Sequence, residues 1–206
     1  MLYNIQQPGI VLLAAGQSKR LGHPKQLLSY NGTTLIEHAV NAALATTLTP
    51  VIVVLGACNE IIAPYLTPYT RVHVVYNKDW ETGMASTIQA GLQALQQTNP
   101  VADGVLLMVC DQPFLTPAII NDLISLQQQT QLPAAACRYQ QKTGTPALFH
   151  QSLFKELMLL QGDTGARKIL EALDTQVALL NFEKGIVDVD TEADYQQLIN
   201  PHADNT

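Results

Sequence analysis

Four short runs constrain this chain more than anything else in it: residues 10–13, 51–55, 72–76 and 105–109 are each essentially continuous and apolar. A strand with one wet face alternates apolar and polar residues. A run that is apolar throughout belongs to a strand covered on both faces, as in a parallel sheet held between two helix layers. The segments between the runs carry helical periodicity. Residues 34–45 open with Thr34 and Glu37 at capping-box spacing and place Leu35, Ala39, Ala42 and Ala43 along one face. Residues 85–97 do the same with Ile88, Leu92 and Leu95, and a third helix begins after Pro117 with Ile120, Leu123, Ile124 and Gln127. Through Gln129 the order reads β-α-β-α-β-α-β-α. With right-handed crossovers it predicts an α/β fold of three αβα layers around a Rossmann-like, doubly wound, mainly parallel sheet. Ligands of such a sheet bind at the C-terminal ends of its strands.

Beyond Pro133 the pattern changes. Short strands are expected at 134–137 and 146–149, and a helix at 151–160. A Gly-rich turn, a helix at 166–173, a strand at 186–190 and a helix at 191–199 follow, and the polar tail 201–206 is expected to fray. This stretch reads as an insertion carrying substrate contacts. At 206 residues one domain spanning 1–206 is expected. The net charge of −6 argues against non-specific nucleic-acid binding, which needs excess cations along the phosphates. Residues 1–9 lack a basic leader, and the apolar run 10–15 is too short for a signal segment or a bilayer span, so no membrane association and a cytoplasmic location are expected. Cys58, Cys110 and Cys137 form neither a disulfide framework nor a zinc knuckle; Cys110 and Cys137 read as small buried residues. The five histidines show no metal-ligand spacing.

The segment 13–25, LAAGQSKRLGHPK, follows the first strand directly. Small residues let backbone N–H groups approach phosphate oxygens, and Arg20 and Lys25 add cations that reach the same oxygens. It matches neither the P-loop nor the dinucleotide fingerprint. Asp111 follows the run 105–109, so its carboxylate should emerge at the strand's C-terminal edge beside this loop. Magnesium takes one or two carboxylates plus substrate phosphates, and Asp190 or Asp188 would complete such a site. Against this stand plainer readings: Asp111 as a turn residue before Pro113, and Asp190 or Thr191 as a helix cap. The segment 82–86, TGMAS, precedes a helix where free N–H groups and a hydroxyl can meet a base or ribose, or where Ser86 or Thr82 merely caps. Residues 162–167, GDTGAR, offer a flexible turn, a helix start and Arg167. Trp80 is a pocket wall or a packing residue.

The loop resembles the L-A-A-G-x-S-x-R-x-G-x-x-K signature of the nucleotidyltransferases that include the molybdenum cofactor cytidylyltransferases. Residues 77–92, the Cys110-Asp111-Gln112-Pro113 segment, Gly144-Thr145-Pro146, residues 162–167 and residues 188–191 resemble further motifs of that family, in its order. The resemblance implies a nucleotide-diphospho-sugar transferase-like fold, with a nucleotide-binding half at 1–129 and an acceptor-binding half at 130–200. It implies Mg2+-dependent transfer of CMP from CTP to molybdopterin with release of pyrophosphate, since the guanylyl branch usually reads Ala-Gly-Gly in the loop. Arg20, Lys25 and Asp111 would be catalytic, and Asp111 and Asp190 would hold the metal. Leu13, Ala14, Ala15, Gly16, Ser18, Arg20, Lys25, Gly83 and Ser86 would contact the nucleotide, and Asp163, Gly165 and Arg167 the acceptor. The alternatives are another triphosphate or a sugar or alditol phosphate acceptor, and a non-catalytic carrier that delivers the cofactor to a molybdoenzyme.

Overall fold

The structure of the protein, a computed structural model, describes residues 2–200; the expected frayed tail lies outside them. The strands are β1 (Pro8–Ala14), a small ribbon of β2 (Ser29–Tyr30) and β3 (Thr33–Thr34), β4 (Val51–Leu55), β5 (Val72–Tyr76), β6 (Gly104–Val109), β7 (Ala134–Tyr139), β8 (Lys142–His150) and β9 (Val177–Asn181). The helices are α1 (Leu35–Leu44), α2 (Asn59–Leu66), α3 (Met84–Thr98), α4 (Pro117–Thr130), α5 (Phe154–Met158), α6 (Arg167–Leu173) and α7 (Glu192–Ile199). Seven strands form one sheet in the order β5-β4-β1-β6-β8-β7-β9. All run parallel except β8, which is antiparallel to both neighbours.

Alternation along each strand divides the core. Ile10, Leu12, Val53 and Met108 point to the layer of α1, α2 and α4, while Val11, Leu13, Val54 and Leu107 point to α3, α5 and α6. Both sets are buried, which is why β1, β4 and β6 read as unbroken apolar runs. The run 72–76 is the exception: β5 is the edge strand, and Val74 and Tyr76 are exposed rather than covered on both faces. α3 lies especially close to the sheet, because a Cβ at Gly91 would fall inside the Val11 side chain. Thr34 and Glu37 form the expected capping box at the start of α1, and Thr116 caps α4 ahead of Pro117.

The chain leaves β1 for β4 and β5 on one side, then returns to pair β6 on the other, so β1 and β6 are neighbours at the point where strand order reverses. That switch point sets the site. Leu13 stands opposite Val109, so the loop leaving β1 and Asp111 leaving β6 emerge side by side.

Two expectations about the later half need correction. Residues 186–190 are not a strand: a 3-10 turn at Glu183–Ile186 leads into irregular chain that docks through the Val189 N–H donating to the Asp111 carbonyl at 3.1 Å. The side chain of Val189 is fully buried, so its β-branched pattern reflects one anchor rather than a ladder. The strand of that region is β9, which extends the sheet beside β7. The helix expected at 151–160 is a 3-10 turn, Gln151–Leu153, followed by the short α5. No helix among the described residues is long and apolar enough to cross a membrane.

Candidate active site

The loop that follows β1 is held from behind by Gln26, which is buried at 1% exposure. Its Nε2 donates to the carbonyls of Ala14 and Gly16, both at 2.9 Å, while the Ala15 carbonyl accepts from Ala57 N–H at 3.0 Å. Ser18 makes the turn with a φ of +56°. Its hydroxyl accepts from the Lys25 N–H at 3.0 Å, and its carbonyl accepts from Leu21 N–H at 3.0 Å and Gly22 N–H at 3.3 Å. The N–H groups of Ala15, Gly16 and Gln17 donate to no group among the described residues.

Past the loop, Lys25 turns its ammonium onto two carboxylates. It hydrogen-bonds Asp111 Oδ2 and, at 2.7 Å, Asp190 Oδ1; Arg20 holds the other Asp190 oxygen at 2.6 Å. Lys25 and Asp111 are well shielded, each side chain 16% exposed, while Arg20 stands at the rim. Burial pulls the Lys25 pKa down, but the Asp111 charge and the hydrogen bonds to Asp111 and Asp190 outweigh it and hold the group above the ordinary lysine value. Burial pushes Asp190 up, and its bonds and charges with Lys25 and Arg20 bring it below the usual carboxylate value. Asp188 goes the other way: burial, then the charges of Asp111 and Asp190, push it up to about 7. Thr191, with Asp194, forms the capping box of α7, which leaves the Asp190 carboxylate free for the cations.

A cleft of about 710 Å³ opens over this cluster, within the usual range for a small-molecule site. Leu13, Ala14, Ala15, Gly16, Ser18, Lys25, Gly83, Asp111 and Asp163 all line it, as does Trp80. Ser86 does not: its hydroxyl accepts from Asn77 Nδ2 at 2.9 Å and lies 2.9 Å from the carbonyls of Asp79 and of Gly83, which share its one proton, and Thr87 takes the place on the cleft wall. A second cleft, about 320 Å³, holds Gly165 and Arg167 together with Tyr139, Lys142 and Asp188. The expected acceptor residues therefore divide, Asp163 facing the first cleft and Gly165 and Arg167 the second. The two clefts share Leu13, Met84 and Val109 as a common wall. The turn around Gly162 is pinned to the start of α3. The Ala85 N–H donates to the Gly162 carbonyl at 3.1 Å, and a Cβ on Gly83, whose φ is +112°, would collide with the Gly162 peptide.

Sequence reasoning missed Gln26 and Gln112. Gln112 is 4% exposed and donates to the carbonyls of Thr145 at 3.1 Å and Gly185 at 3.0 Å, tying the chain after Asp111 to two segments of the later half. A glutamine in a loop carries no periodicity or charge to announce such a role. Cys110 and Cys137 are buried as expected, and burial pushes both thiols up to about 12.

The donor set suits a hard cation. Asp111 Oδ1 is buried without a hydrogen-bond partner, and Asp111 and Asp190 already converge on one positive charge. No group of three His, Cys, Asp or Glu side chains among the described residues is arranged around a metal position. Two carboxylates completed by substrate oxygens is the donor pattern of a magnesium-type site.

Residues 10–177 match the MobA-like NTP transferase domain. Nicotine blue oxidoreductase of Paenarthrobacter nicotinovorans is 32% identical over 92% of this chain and 95% of its own length. A probable molybdenum cofactor guanylyltransferase of Mycobacterium avium is 24% identical over 98% of this chain and all of its own. The molybdenum cofactor cytidylyltransferase of Escherichia coli is 23% identical over 90% and 92%. Among solved structures, Rv0371c of Mycobacterium tuberculosis in complex with manganese superposes with a TM-score of 0.74 at 30% identity, covering 95% of this chain and 99% of its own. A loop of free N–H groups beside a lysine-bridged carboxylate pair at the sheet's switch point, and a match over most of the chain, lead to one conclusion: the protein belongs to the MobA-like NTP transferase family and is a nucleotidyltransferase.

Proposed function

We propose that the chain transfers CMP from CTP to the terminal phosphate of molybdopterin, releasing pyrophosphate, with Mg2+ as the metal and the cytoplasm as its compartment. The observation that carries this reading is the shared wall of the two clefts, which lets a triphosphate over the loop and an acceptor beside Arg167 meet near Asp111. The acceptor phosphate oxygen attacks the α-phosphorus, and the bond from that phosphorus to the pyrophosphate oxygen breaks. The N–H groups of residues 15–17 hold the β and γ groups, and Lys25 and Arg20 offset the charge that grows on the leaving pyrophosphate. Asp111 and Asp190 would hold the Mg2+, which when bound supplies neutralisation of the attacking and α-phosphate oxygens. Arg167 and Lys142 would orient the acceptor phosphate, with residues 1–129 serving the nucleotide and 130–200 the acceptor. The Ala14-Ala15-Gly16 sequence supports CTP over GTP, and the Escherichia coli relative supports the acceptor.

A second reading, guanylyl transfer, is favoured by the Mycobacterium avium relative. The deciding experiment is pyrophosphate release with Mg2+ and molybdenum-loaded molybdopterin, comparing CTP, GTP, ATP and UTP with Asp111→Ala alongside. Release with CTP alone, lost in the variant, supports the proposal. Release with GTP moves it to the second reading, and release with neither, from folded protein, points to another phosphorylated acceptor or to delivery of the cofactor to a molybdoenzyme.

A further inference from the structure

We propose that Gln26 is the positioning residue of the phosphate loop, fixing which way its peptide groups face. In a trans peptide the carbonyl of one residue and the N–H of the next point in opposite directions. The Gln26 amide takes the carbonyls of Ala14 and Gly16, so the N–H groups of Ala15 and Gln17 are turned away from it, and both residues line the cleft. The Ala15 carbonyl, held by Ala57, lies between these two bonds, so three consecutive peptides are fixed from the protein side.

The chain supplies few other constraints here. A Cβ at Gly16 would meet nothing within 4 Å, so packing does not hold that residue. The same glutamine sits in the turn Lys25–Leu27, directly after the lysine that bridges Asp111 and Asp190. One buried amide thus sets the cradle and anchors the turn that presents the cation. Gln26 touches no reacting atom in this scheme; it acts through the backbone. The inference rests on the reading of the loop as a triphosphate cradle.

The test is Gln26→Met, which keeps the volume and removes both donors. Binding of inorganic triphosphate, of the preferred nucleoside triphosphate and of the corresponding nucleoside monophosphate is measured by calorimetry. Two misdirected N–H groups should weaken the first two by about 10-fold or more and the monophosphate by less than about threefold. Should the methionine variant fail to fold, Gln26→Leu, which is also without donors and adds no charge, is expected to show the same selective loss. Equal binding of inorganic triphosphate by variant and wild type overturns the role of Gln26 alone. Equal weakening of all three probes overturns it too, since that is the mark of a general packing defect. Failure of the wild type to bind either polyphosphate sinks the cradle itself.

Discussion

Replacing Lys25 by methionine removes the only cation bonded to Asp111 among the described residues. A unit charge pair at the 2.7 Å separating Lys25 and Asp190 is worth about 6 kcal/mol at an effective dielectric of ~20. Much of that is offset by desolvation. Asp190 is 37% exposed and keeps Arg20, so its loss is small, whereas Asp111 is 16% exposed and is left uncompensated. Stranding one partner of a buried pair typically costs about 3–5 kcal/mol. For a domain of this size that lowers the melting temperature by roughly 10 °C without unfolding it. A divalent cation can replace the missing charge, so the variant should regain much of the loss in millimolar Mn2+ or Mg2+, while the wild type, whose lysine already neutralises the pair, gains less. Thermal melts in chelator and in metal measure both effects. A variant as stable as the wild type in chelator, or one that metal stabilises no more than the wild type, would refute the argument.

Gly83→Ala puts a Cβ into the Gly162 peptide at a φ of +112°, so it should cost about 1–3 kcal/mol in urea unfolding and weaken nucleotide binding with it. Asp188 carries its proton more tightly folded, at about 7 against 3.8, so it penalises stability increasingly as pH rises through that window and in full above it. Its exposure screens most of the effect; Asp188→Asn should gain about 1 kcal/mol, roughly 3 °C, at pH 8 and nothing at pH 3.5, in melts across that range. A thiol reagent should label Cys58 alone in the native protein and all three cysteines after denaturation, because Cys110 and Cys137 are buried; native labelling of either would contradict the packing.

The parts of the fold that read most directly were the fully buried strands. β1, β4 and β6 read from unbroken apolar runs, β5 from a similar run although its residues are largely exposed at the sheet's edge, and α1 and α4 from a capping box and from Pro117 at the helix start. α2 was named only by its place in the alternation: it has eight residues, contains Pro64 and starts from Cys58 in a left-handed conformation, none of which a helical pattern announces. β9 was missed and residues 186–190 overread for one reason. A strand is defined by its partner, and Val177–Asn181 finds β7 across some forty residues of chain, while the segment around Val189 finds a single carbonyl. At the site, the loop, Lys25, Asp111 and Asp190 were legible as residue types that phosphate and metal chemistry require. Their assembly was not, since the Lys25–Asp190 and Arg20–Asp190 contacts join residues 165 and 170 positions apart. Ser86 shows what sequence leaves out: a hydroxyl at a helix start reads as available, whereas in the structure Asn77 and the carbonyls of Asp79 and Gly83 surround it.

The sheet runs without a break from β5 to β9, under both clefts. Enzymes that hold two substrates on separate lobes must bring them together by closing a hinge at every turnover. Here the loop that leaves β1 and the wall of the second cleft built on β8 are fastened to the same slab, with β6 between them. In the proposed reaction the span between the two reactants is then set once, when the chain folds, and discrimination among acceptors falls to the length and shape of the molecule that must cross it.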